Sequence, residues 1–463
     1  MKRILFVFFS FISLNGYSQN LNYYQWKPIE PGLVCADSFY LRCKIQNFAN
    51  DTLRDILWMK GRFEGGDTIS SPNIIGYNGH DFVPFPFPVT SYDTVVTYDM
   101  IMYYGDLYTC SDHAVFKYDF TTHQRNTIGL FPSLSNGECF AVYNGDLYLG
   151  GDFYAIQDTS GNWIGAYNIA KWDGVNWSSV GQYGVYNPSA GGGVVYSMEV
   201  YNNKLYVGGT FEFADSVEAW NIAAWNGLNW SCLCDGISHF GTNSNNNNHY
   251  AATVHDFEIF QGNLYATGNF DSICNVKSKL AFTDGNGWNG TAFPYFDNII
   301  IKSFQNNLIV YTLSLSSFYN VLFWDGTQSI QVDTGFIDGY ASFINFHDTL
   351  YAGGAFGFSG NTAVFRIAKL VFDSTNVGIN ETEIKTGEIK IYPNPANDQL
   401  IIDNGQLIID EIEITNALGI HSFRFKVSNP TTQINIKTLA AGLYFVKVHL
   451  QNGEILVRKF VRQ

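Results

Sequence analysis

A regular alternation of apolar and polar residues runs through most of the chain and is broken at intervals by turn-forming residues. Its most constant part is a phrase in which a polar turn precedes Leu-Tyr, a short apolar stretch and Gly-Gly. The central leucines of the seven copies, which lie 40–59 residues apart, are Leu57, Leu107, Leu147, Leu205, Leu264, Leu308 and Leu350. Alternation with a period of two predicts half-buried β-strands. Seven copies at this spacing predict a repeat architecture.

A second phrase follows the first within each unit. It reads NIAKWDGVNW from Asn168 and NIAAWNGLNW from Asn221, with looser copies elsewhere. Its Asp-Gly or Asn-Gly pair adopts positive φ at low cost and therefore predicts a two-residue hairpin. Each unit should then contain four strands, which in the clearest copy are Tyr196–Tyr201, Leu205–Phe211, Asn221–Trp225 and Asn229–Leu233.

Four antiparallel strands in every unit of 40–59 residues predict a propeller blade. We therefore predict an all-β protein whose residues 20–373 form a seven-bladed β-propeller. A solenoid would need capping segments, and none is visible in the sequence. The last unit lacks a fourth strand, whereas Tyr24–Ile29 precedes the first full unit and has the pattern of one. We expect this segment to complete the last sheet by pairing near Phe365–Val371, which would cover two sheet edges.

The repeat resembles the kelch repeat over residues 24–373, because Gly-Gly follows an apolar-Tyr strand and a tryptophan opens the fourth strand. The chain departs from that pattern in its third hairpin, which is tighter between Trp172 and Trp177. The resemblance implies the blade fold and does not imply any particular kelch function.

The N-terminus and the composition narrow the class of protein. Lys2 and Arg3 precede an apolar run, Ile4–Leu14, and small or polar residues follow, an order typical of a secretory signal peptide over residues 1–19. The net charge of −15 disfavours nucleic acid and anionic membrane surfaces as partners. No other stretch predicts a stable membrane span. Seven cysteines, an odd number, show no disulfide framework in their spacing, and Cys232-Leu233-Cys234 has no second half-site for a metal.

The C-terminal residues have a different pattern. A polar stretch at 374–387 predicts a linker, and residues 388–463 alternate as a small β-sandwich should. This segment contains Tyr-Pro-Asn-Pro, Asn-Ala-Leu-Gly, Gly-Leu-Tyr and a closing Arg-Lys-Phe-Val. The residues that carry these motifs are Tyr392, Pro393, Asn394, Pro395, Gly419, Gly442, Tyr444, Lys459 and Val461.

In this order, and at the extreme C-terminus, the motifs resemble the type A sorting domain of cargo proteins of the type IX secretion system, also called the Por system. The resemblance implies export through the periplasm and outer membrane, recognition by the translocon and removal of the tail by a sorting peptidase. It also implies a secreted or surface-anchored product and a source among the Bacteroidetes. An ordinary adhesive sandwich is the alternative.

The sequence contains no recognisable catalytic constellation. A nucleophile elbow, a zinc-binding helix and a phosphate loop are all missing, so we predict no catalytic residue, cofactor or metal. The extra chain length falls in four loops that should share one face, Tyr154–Tyr167, Gln182–Val195, Glu212–Trp220 and Asp235–Thr253. Loops on a rigid scaffold often carry function, so this face is the candidate site. Its predicted ligand-binding residues are Trp163, Tyr167, Tyr186, Asp215, Glu218, Trp220 and His239.

Aromatic side chains beside carboxylates suit carbohydrate binding. The sequence therefore favours a secreted or cell-surface binding or adhesion module for an extracellular glycan or protein. The alternative function is an extracellular hydrolase or lyase that acts on polysaccharide. A second alternative for the residues themselves is that these aromatics only pack their own loops.

Overall fold

The strands of the computed structural model fall into two compact units, one spanning Tyr24–Phe372 and one containing the residues from Asp373 to the C-terminus. The structure describes residues 24–30, 32–35, 43–88, 97–188, 192–233, 236–240, 247–248, 252–293, 297–313, 319–332, 336–337, 341–359, 362–372, 389–403, 409–416, 421–426, 431–439, 442–450 and 455–462. The predicted signal peptide and linker lie outside these residues. All regular structure in the described residues is β, and none of them forms a helix long and apolar enough to cross a bilayer.

The first three sheets of the larger unit are antiparallel and follow the predicted pattern of four consecutive main strands. In the first, the strands are Lys44–Asp51, Ile56–Arg62, Ile74–Tyr77 and Phe82–Pro84. In the second, they are Thr97–Tyr103, Asp106–Ser111, Ala114–Asp119 and Gln124–Leu130. In the third, they are Asn136–Tyr143, Asp146–Asp152, Ile169–Trp172 and Trp177–Ser179.

The next three sheets repeat the arrangement. In the fourth, the strands are Val194–Tyr201, Lys204–Thr210, Ile222–Trp225 and Trp230–Cys232. In the fifth, they are Thr253–Phe260, Asn263–Asn269, Leu280–Thr283 and Trp288–Gly290. In the sixth, they are Asp297–Phe304, Asn307–Leu313, Tyr319–Trp324 and Ser329–Gln331. The fourth sheet matches the predicted strands to within about two residues, the usual uncertainty of strand ends.

The seventh sheet combines the two ends of the unit. Its strands Ala341–Phe346, Thr349–Gly354 and Ile367–Phe372 are joined by Tyr24–Pro28. The pairing is antiparallel, with Trp26 opposite Leu370. The predicted pairing of the N-terminal segment is therefore confirmed.

The glycine pair of the first phrase allows the first two strands and the returning loop to approach closely. A Cβ atom on Gly209 would lie 1.9 Å from the carbonyl oxygen of Val194. On its other side, the Gly209 N–H donates a hydrogen bond of 3.0 Å to the carbonyl of Asn221, which immediately precedes the third strand. The glycine is therefore required by packing.

Hydrophobic cores lie between neighbouring sheets. The first strand of each sheet packs beside the first strand of the next, and the first strand of the seventh sheet packs beside that of the first. One buried cluster accordingly combines Ile45, Phe48 and Leu57 of the first sheet with Phe346 and Tyr351 of the seventh. Burial of these apolar side chains stabilises the contact between the two ends of the unit.

The cysteines divide into bonded and free residues. Cys35 and Cys43 form a disulfide, and Cys274 is also disulfide-bonded. Cys110 and Cys139 are free and buried in the structure. No group of three metal-ligating side chains occurs within the described ranges.

The C-terminal unit has two sheets. One contains Lys390–Tyr392, Gln399–Asp403 and Thr431–Asn435, and the other contains Ile409–Asn416, His421–Lys426, Gly442–Leu450 and Ile455–Arg462. One buried cluster draws on both sheets, with Leu400 and Ile402 from the first and Ile412, Val446 and Phe460 from the second.

Candidate functional site

Short extra strands, which the sequence pattern did not reveal, occupy the long loops of the larger unit. They comprise Leu33–Val34, Gly65–Gly66, Ile69–Ser70, Ala155–Gln157, Trp163–Gly165, Val185–Tyr186, Phe213–Ala214, Val217–Glu218, Ile237–Phe240, Asn247–Asn248, Ser272–Ile273, Val276–Lys277, Phe336–Ile337, Phe358–Ser359 and Thr362–Ala363. In several places a hairpin between the second and third main strands pairs with the strand that enters the unit. The loops are therefore built as small sheets.

An asparagine closes the base of two of these hairpins. Asn168 and Asn221 have φ of 59° and 71°, a conformation that asparagine tolerates better than most residues. Their backbone N–H groups donate to the carbonyls of Phe153 and Phe211, both at 2.7 Å. Their side-chain Oδ1 atoms accept from the N–H groups of the same phenylalanines, at 3.1 and 2.9 Å. This double link fixes where each hairpin leaves the main sheet.

Five of the predicted site residues belong to, or adjoin, one three-stranded sheet, which we call the loop sheet. It consists of Val185–Tyr186, Phe213–Ala214 and Val217–Glu218. Tyr167 is attached to it through backbone hydrogen bonds with Tyr183 and Val185, at 2.9 and 3.0 Å.

The Asp215 side chain is hydrogen-bonded to the turn that leads into the loop sheet. Its carboxylate accepts the backbone N–H groups of Gln182, Tyr183 and Gly184 at 3.0, 2.7 and 3.1 Å. Three such hydrogen bonds to a charged acceptor hold the turn before Val185 in place. Asp215 therefore positions its own loop through these hydrogen bonds.

Three aromatic rings form a row on the loop sheet. Tyr167 and Tyr186 have ring centroids 5.9 Å apart, and Tyr186 stacks on Phe213 at 5.7 Å with an interplanar angle of 21°. The Tyr167 side chain is 44% exposed. Sequence analysis missed Phe213, although its position opposite Tyr186 in the pairing could have identified it once the short strands were known.

The remaining predicted residues have different surroundings. Trp220 is half-buried, and its indole N–H donates to Glu218 at 2.7 Å. Trp163 is 52% exposed on a separate hairpin that extends the second main sheet. His239 lies opposite Asn248 in another short pairing, and its side chain lies outside the described residues. The structure thus gathers Tyr167, Tyr186, Asp215, Glu218 and Trp220 around the loop sheet and places Trp163 and His239 on other short sheets.

Carboxylates on the first strands form a second polar feature, which sequence analysis also missed. Asp99 accepts the N–H of Phe140 at 2.7 Å, and Asp256 accepts the N–H of Ile301 at 2.9 Å. Each therefore links its own sheet to the next. Burial raises the pKa of both carboxyl groups to about 7, and these N–H donors partly oppose the effect.

These pKa shifts predict that the larger unit loses stability as the pH rises. An aspartate in an unfolded chain has a pKa of about 3.9, so the folded state binds more protons between about pH 4 and 7. The stabilisation is fully present below the unfolded pKa and is lost as the pH passes the folded pKa. We expect the melting temperature to be several degrees higher at pH 5 than at pH 8, as measured by calorimetry.

Asparagine variants test whether Asp99 and Asp256 cause this pH dependence. The double variant Asp99→Asn, Asp256→Asn should flatten the change in melting temperature between pH 5 and pH 8. Asp158→Asn is the matched control, because Asp158 is exposed and its pKa is lowered by the backbone N–H of Asn162. An unchanged pH dependence in the double variant would contradict the prediction.

The first and last motifs of the C-terminal unit meet in space. Asn394 accepts the N–H of Val461 at 2.9 Å and donates through Nδ2 to the carbonyl of Lys459 at 3.2 Å. Ala396 donates its N–H to the carbonyl of Val461 at 2.8 Å. The segment after Tyr392 is thereby fixed along the closing strand.

The third motif contributes to the same region. Gly442 and Leu443 lie opposite Arg462 and Val461, and the buried ring of Tyr444 stacks on Phe460 at 5.5 Å. Pro393 and Pro395 follow cis peptide bonds. Gly419 lies outside the described residues. The separated motifs are therefore parts of one surface and one core.

Residues 390–463 match the family model described as the secretion system C-terminal sorting domain. The chain carries a type IX C-terminal sorting domain. The sorting domain directs export, so the protein is a cell-surface or secreted protein handled by the type IX secretion system.

The comparisons with solved structures give weak similarities. The chain is 12% identical to the extracellular domain of a putative one-component system from B. thetaiotaomicron, with a TM-score of 0.45, and the alignment covers 91% of this chain and 57% of that one. It is 10% identical to PorZ, a surface component of the type IX secretion system of Porphyromonas gingivalis, with a TM-score of 0.19 and coverage of 91% and 82%. It is also 10% identical to the β-propeller domain of Cps50 (Swd1) from Myceliophteria thermophila, with a TM-score of 0.34 and coverage of 61% and 84%. No curated protein matches the chain.

Proposed function

We propose that the larger unit is a closed, kelch-like β-propeller of seven blades. The first strands pack in sequence, and a shared core joins the first and seventh sheets. At the opposite end from the loop sheet, His347 of the seventh sheet hydrogen-bonds to Asp55 of the first. We propose the domain limits with it: signal peptide 1–19, propeller 20–373, linker 374–387 and sorting domain 388–463, in a protein of the Bacteroidetes.

We propose that this propeller is a binding or adhesion module and that the loop sheet binds a glycan. The observation that carries the proposal is the row of rings, Tyr167, Tyr186 and Phe213, on a sheet held by Asp215. Flat, rigid aromatic faces bury the apolar faces of sugar rings with little loss of conformational entropy. Asp215 accepts three backbone N–H groups of its own loop, which favours a structural role over a catalytic one for this carboxylate.

A glycan array with parallel detection of released sugar tests the proposal. We expect retention of at least one polysaccharide class without release of products. Tyr186→Ala should weaken that binding by about tenfold, the effect of a loss near 1.4 kcal/mol. Calorimetric titration of the retained glycan measures the change.

Tyr104→Ala is the matched control. Tyr104 is 80% exposed and lies in the short turn that joins the first two strands of the second sheet, at the opposite end of the sheets. The Tyr104→Ala variant should bind the glycan with the same affinity as the unmodified protein. Wild-type affinity in Tyr186→Ala, or a steep fall in its melting temperature with unchanged binding, would show that the rings only pack the loop. Release of sugar would identify an enzyme instead.

A further inference from the structure

Six consecutive first strands, from the first to the sixth sheet, carry a β-bulge at equivalent positions. The register with the second strand skips one residue in each, and the residues skipped are Gln46, Tyr98, Glu138, Tyr196, His255 and Ile299. A bulge redirects a side chain, and such features are frequent beside functional sites. The recurrence along neighbouring strands makes this arrangement part of the repeat.

Four of these residues, Tyr98, Glu138, Tyr196 and His255, lie together on neighbouring strands, and we call them the first-strand cluster. Their strands pack side by side in order. The rings of Tyr196 and His255 are 5.7 Å apart, the Tyr98 hydroxyl donates to Asp112 at 2.7 Å, and Asn136 donates to Glu138 at 2.7 Å. His255 is exposed, and the other three members are partly exposed. The cluster is therefore accessible to a ligand.

The first-strand cluster lies at the same end of the sheets as the loop sheet but is built from different strands. Each bulge falls at the second or third residue of its strand, so it lies at the end where the antiparallel second strand finishes. That end also carries the hairpins between the second and third strands. The cluster itself belongs to the first strands and shares no residue with the loop sheet, so the two surfaces can be disabled separately.

The charged groups around the first-strand cluster indicate which kind of ligand it can bind. The charged groups that act on Glu138 are the carboxylates of Asp152, Asp112 and Asp99. Lys302, on the first strand of the sixth sheet, forms a salt bridge with Glu258, with 2.9 Å between Nζ and Oε2. Tyr98 and Tyr196 lie on the two neighbouring first strands, close enough for the charge of Glu138 to act on both hydroxyls. Carboxylates together with aromatic faces attract a cation through charge and through the ring quadrupole.

We propose that the first-strand cluster binds an organic cation, the guanidinium or primary ammonium group of an extracellular peptide or amino sugar. Glu138 supplies the opposing charge, Tyr98 and Tyr196 supply ring faces, and His255 borders the site. This function is additional to glycan binding at the loop sheet and does not depend on it.

Titration of the cluster predicts the pH dependence of binding. Burial raises the pKa of Glu138 to about 7, with a smaller opposing effect from Asn136. His255 keeps solvent contact, but the protein atoms around its ring partly desolvate it and lower its pKa. The other titratable groups at the cluster are Tyr98, Tyr196, Asp99, Asp112 and Asp152. Cation binding should therefore be stronger at pH 8.5, where Glu138 is ionised and His255 neutral, than at pH 5.5.

Titration of the purified full-length chain with matched ligands tests the proposal. The peptide arm compares acetyl-Gly-Gly-Arg-Gly-Gly-amide with the same peptide containing citrulline, which keeps the shape and removes the charge. The sugar arm compares glucosamine hexamer with N-acetylglucosamine hexamer. We expect the charged member of at least one pair to bind and its neutral counterpart to bind about tenfold or more weakly. The arm that responds identifies the source of the cation.

Variants separate this site from general attraction to an acidic protein. Glu138→Gln should weaken binding of the charged ligand by about tenfold and remove its pH dependence. Asp81→Asn removes the same charge from an exposed turn at the opposite end of the first sheet and should leave binding unchanged. Tyr186→Ala should also leave it unchanged. Equal binding of charged and neutral ligands, or equal losses in Glu138→Gln and Asp81→Asn at matched melting temperatures, would overturn the proposal.

Discussion

Removal of residues 390–463 is expected to reduce the protein on the cell surface and in the medium to background while a folded larger unit accumulates in the periplasm. The deleted residues are the sorting domain. They form their own buried core, which includes Leu400, Ile412 and Phe460. The larger unit has separate cores between its own sheets, so it should not need the tail to fold. Fractionation followed by immunoblotting measures where the truncated chain is found.

Two point variants sharpen this test. Asn394→Ala removes the two side-chain hydrogen bonds between the first motif and the closing strand, so it should reduce export without removing any residue from the larger unit. Asp410→Asn changes an exposed side chain of the same domain and should be exported normally. Normal surface yield of the truncated chain would contradict the role assigned to the tail.

The main strands could be predicted from sequence because two independent signals occur in five of the seven units. Alternation marks the strand, and Asp-Gly or Asn-Gly marks the hairpin, as in Ile222–Trp225, Asn226-Gly227 and Trp230–Cys232. Gly227 has the expected positive φ, 96°, whereas Asn226 does not, and four residues separate the paired Trp225 and Trp230 where a two-residue hairpin was predicted. Register follows from such turns, since a slip by one residue would turn buried side chains to the opposite face.

The candidate site was harder to predict because its strands are too short to show a period. Val185–Tyr186 and Phe213–Ala214 contain two residues each, and their pairing depends on side chains distant in sequence. Asp215 was identified as a ligand-binding candidate from its residue type, whereas its contacts with Tyr183 and Gly184 arise only in the folded chain. The bulged residues were invisible for a related reason. A bulge is a mismatch between two strands, so neither strand reveals it alone.

A single substitution in the strand Tyr24–Pro28 should strongly destabilise the larger unit. Trp26 is fully buried and packs on Phe336 and Phe343, with ring centroids at 5.0 and 6.0 Å. Truncation of a large buried aromatic side chain typically costs about 3–5 kcal/mol, because transfer free energy is lost and a cavity remains. Trp26→Ala should therefore lower the free energy of unfolding by about that amount. Chemical denaturation monitored by fluorescence, with hydrogen exchange to follow Ile367–Phe372, measures the loss.

Lys27→Ala provides the comparison within the same strand. Lys27 follows Trp26, so its side chain lies on the other face of the sheet, where it is opposite Lys369. Removing one of two like charges that face each other across a strand pair should be neutral or slightly stabilising. If the last sheet depends on the N-terminal strand, Trp26→Ala should also speed amide exchange in Ile367–Phe372, because that strand would become an edge. Equal stability of the two variants, with unchanged exchange in that strand, would show that the N-terminal strand is only an attachment to a sheet that is stable without it.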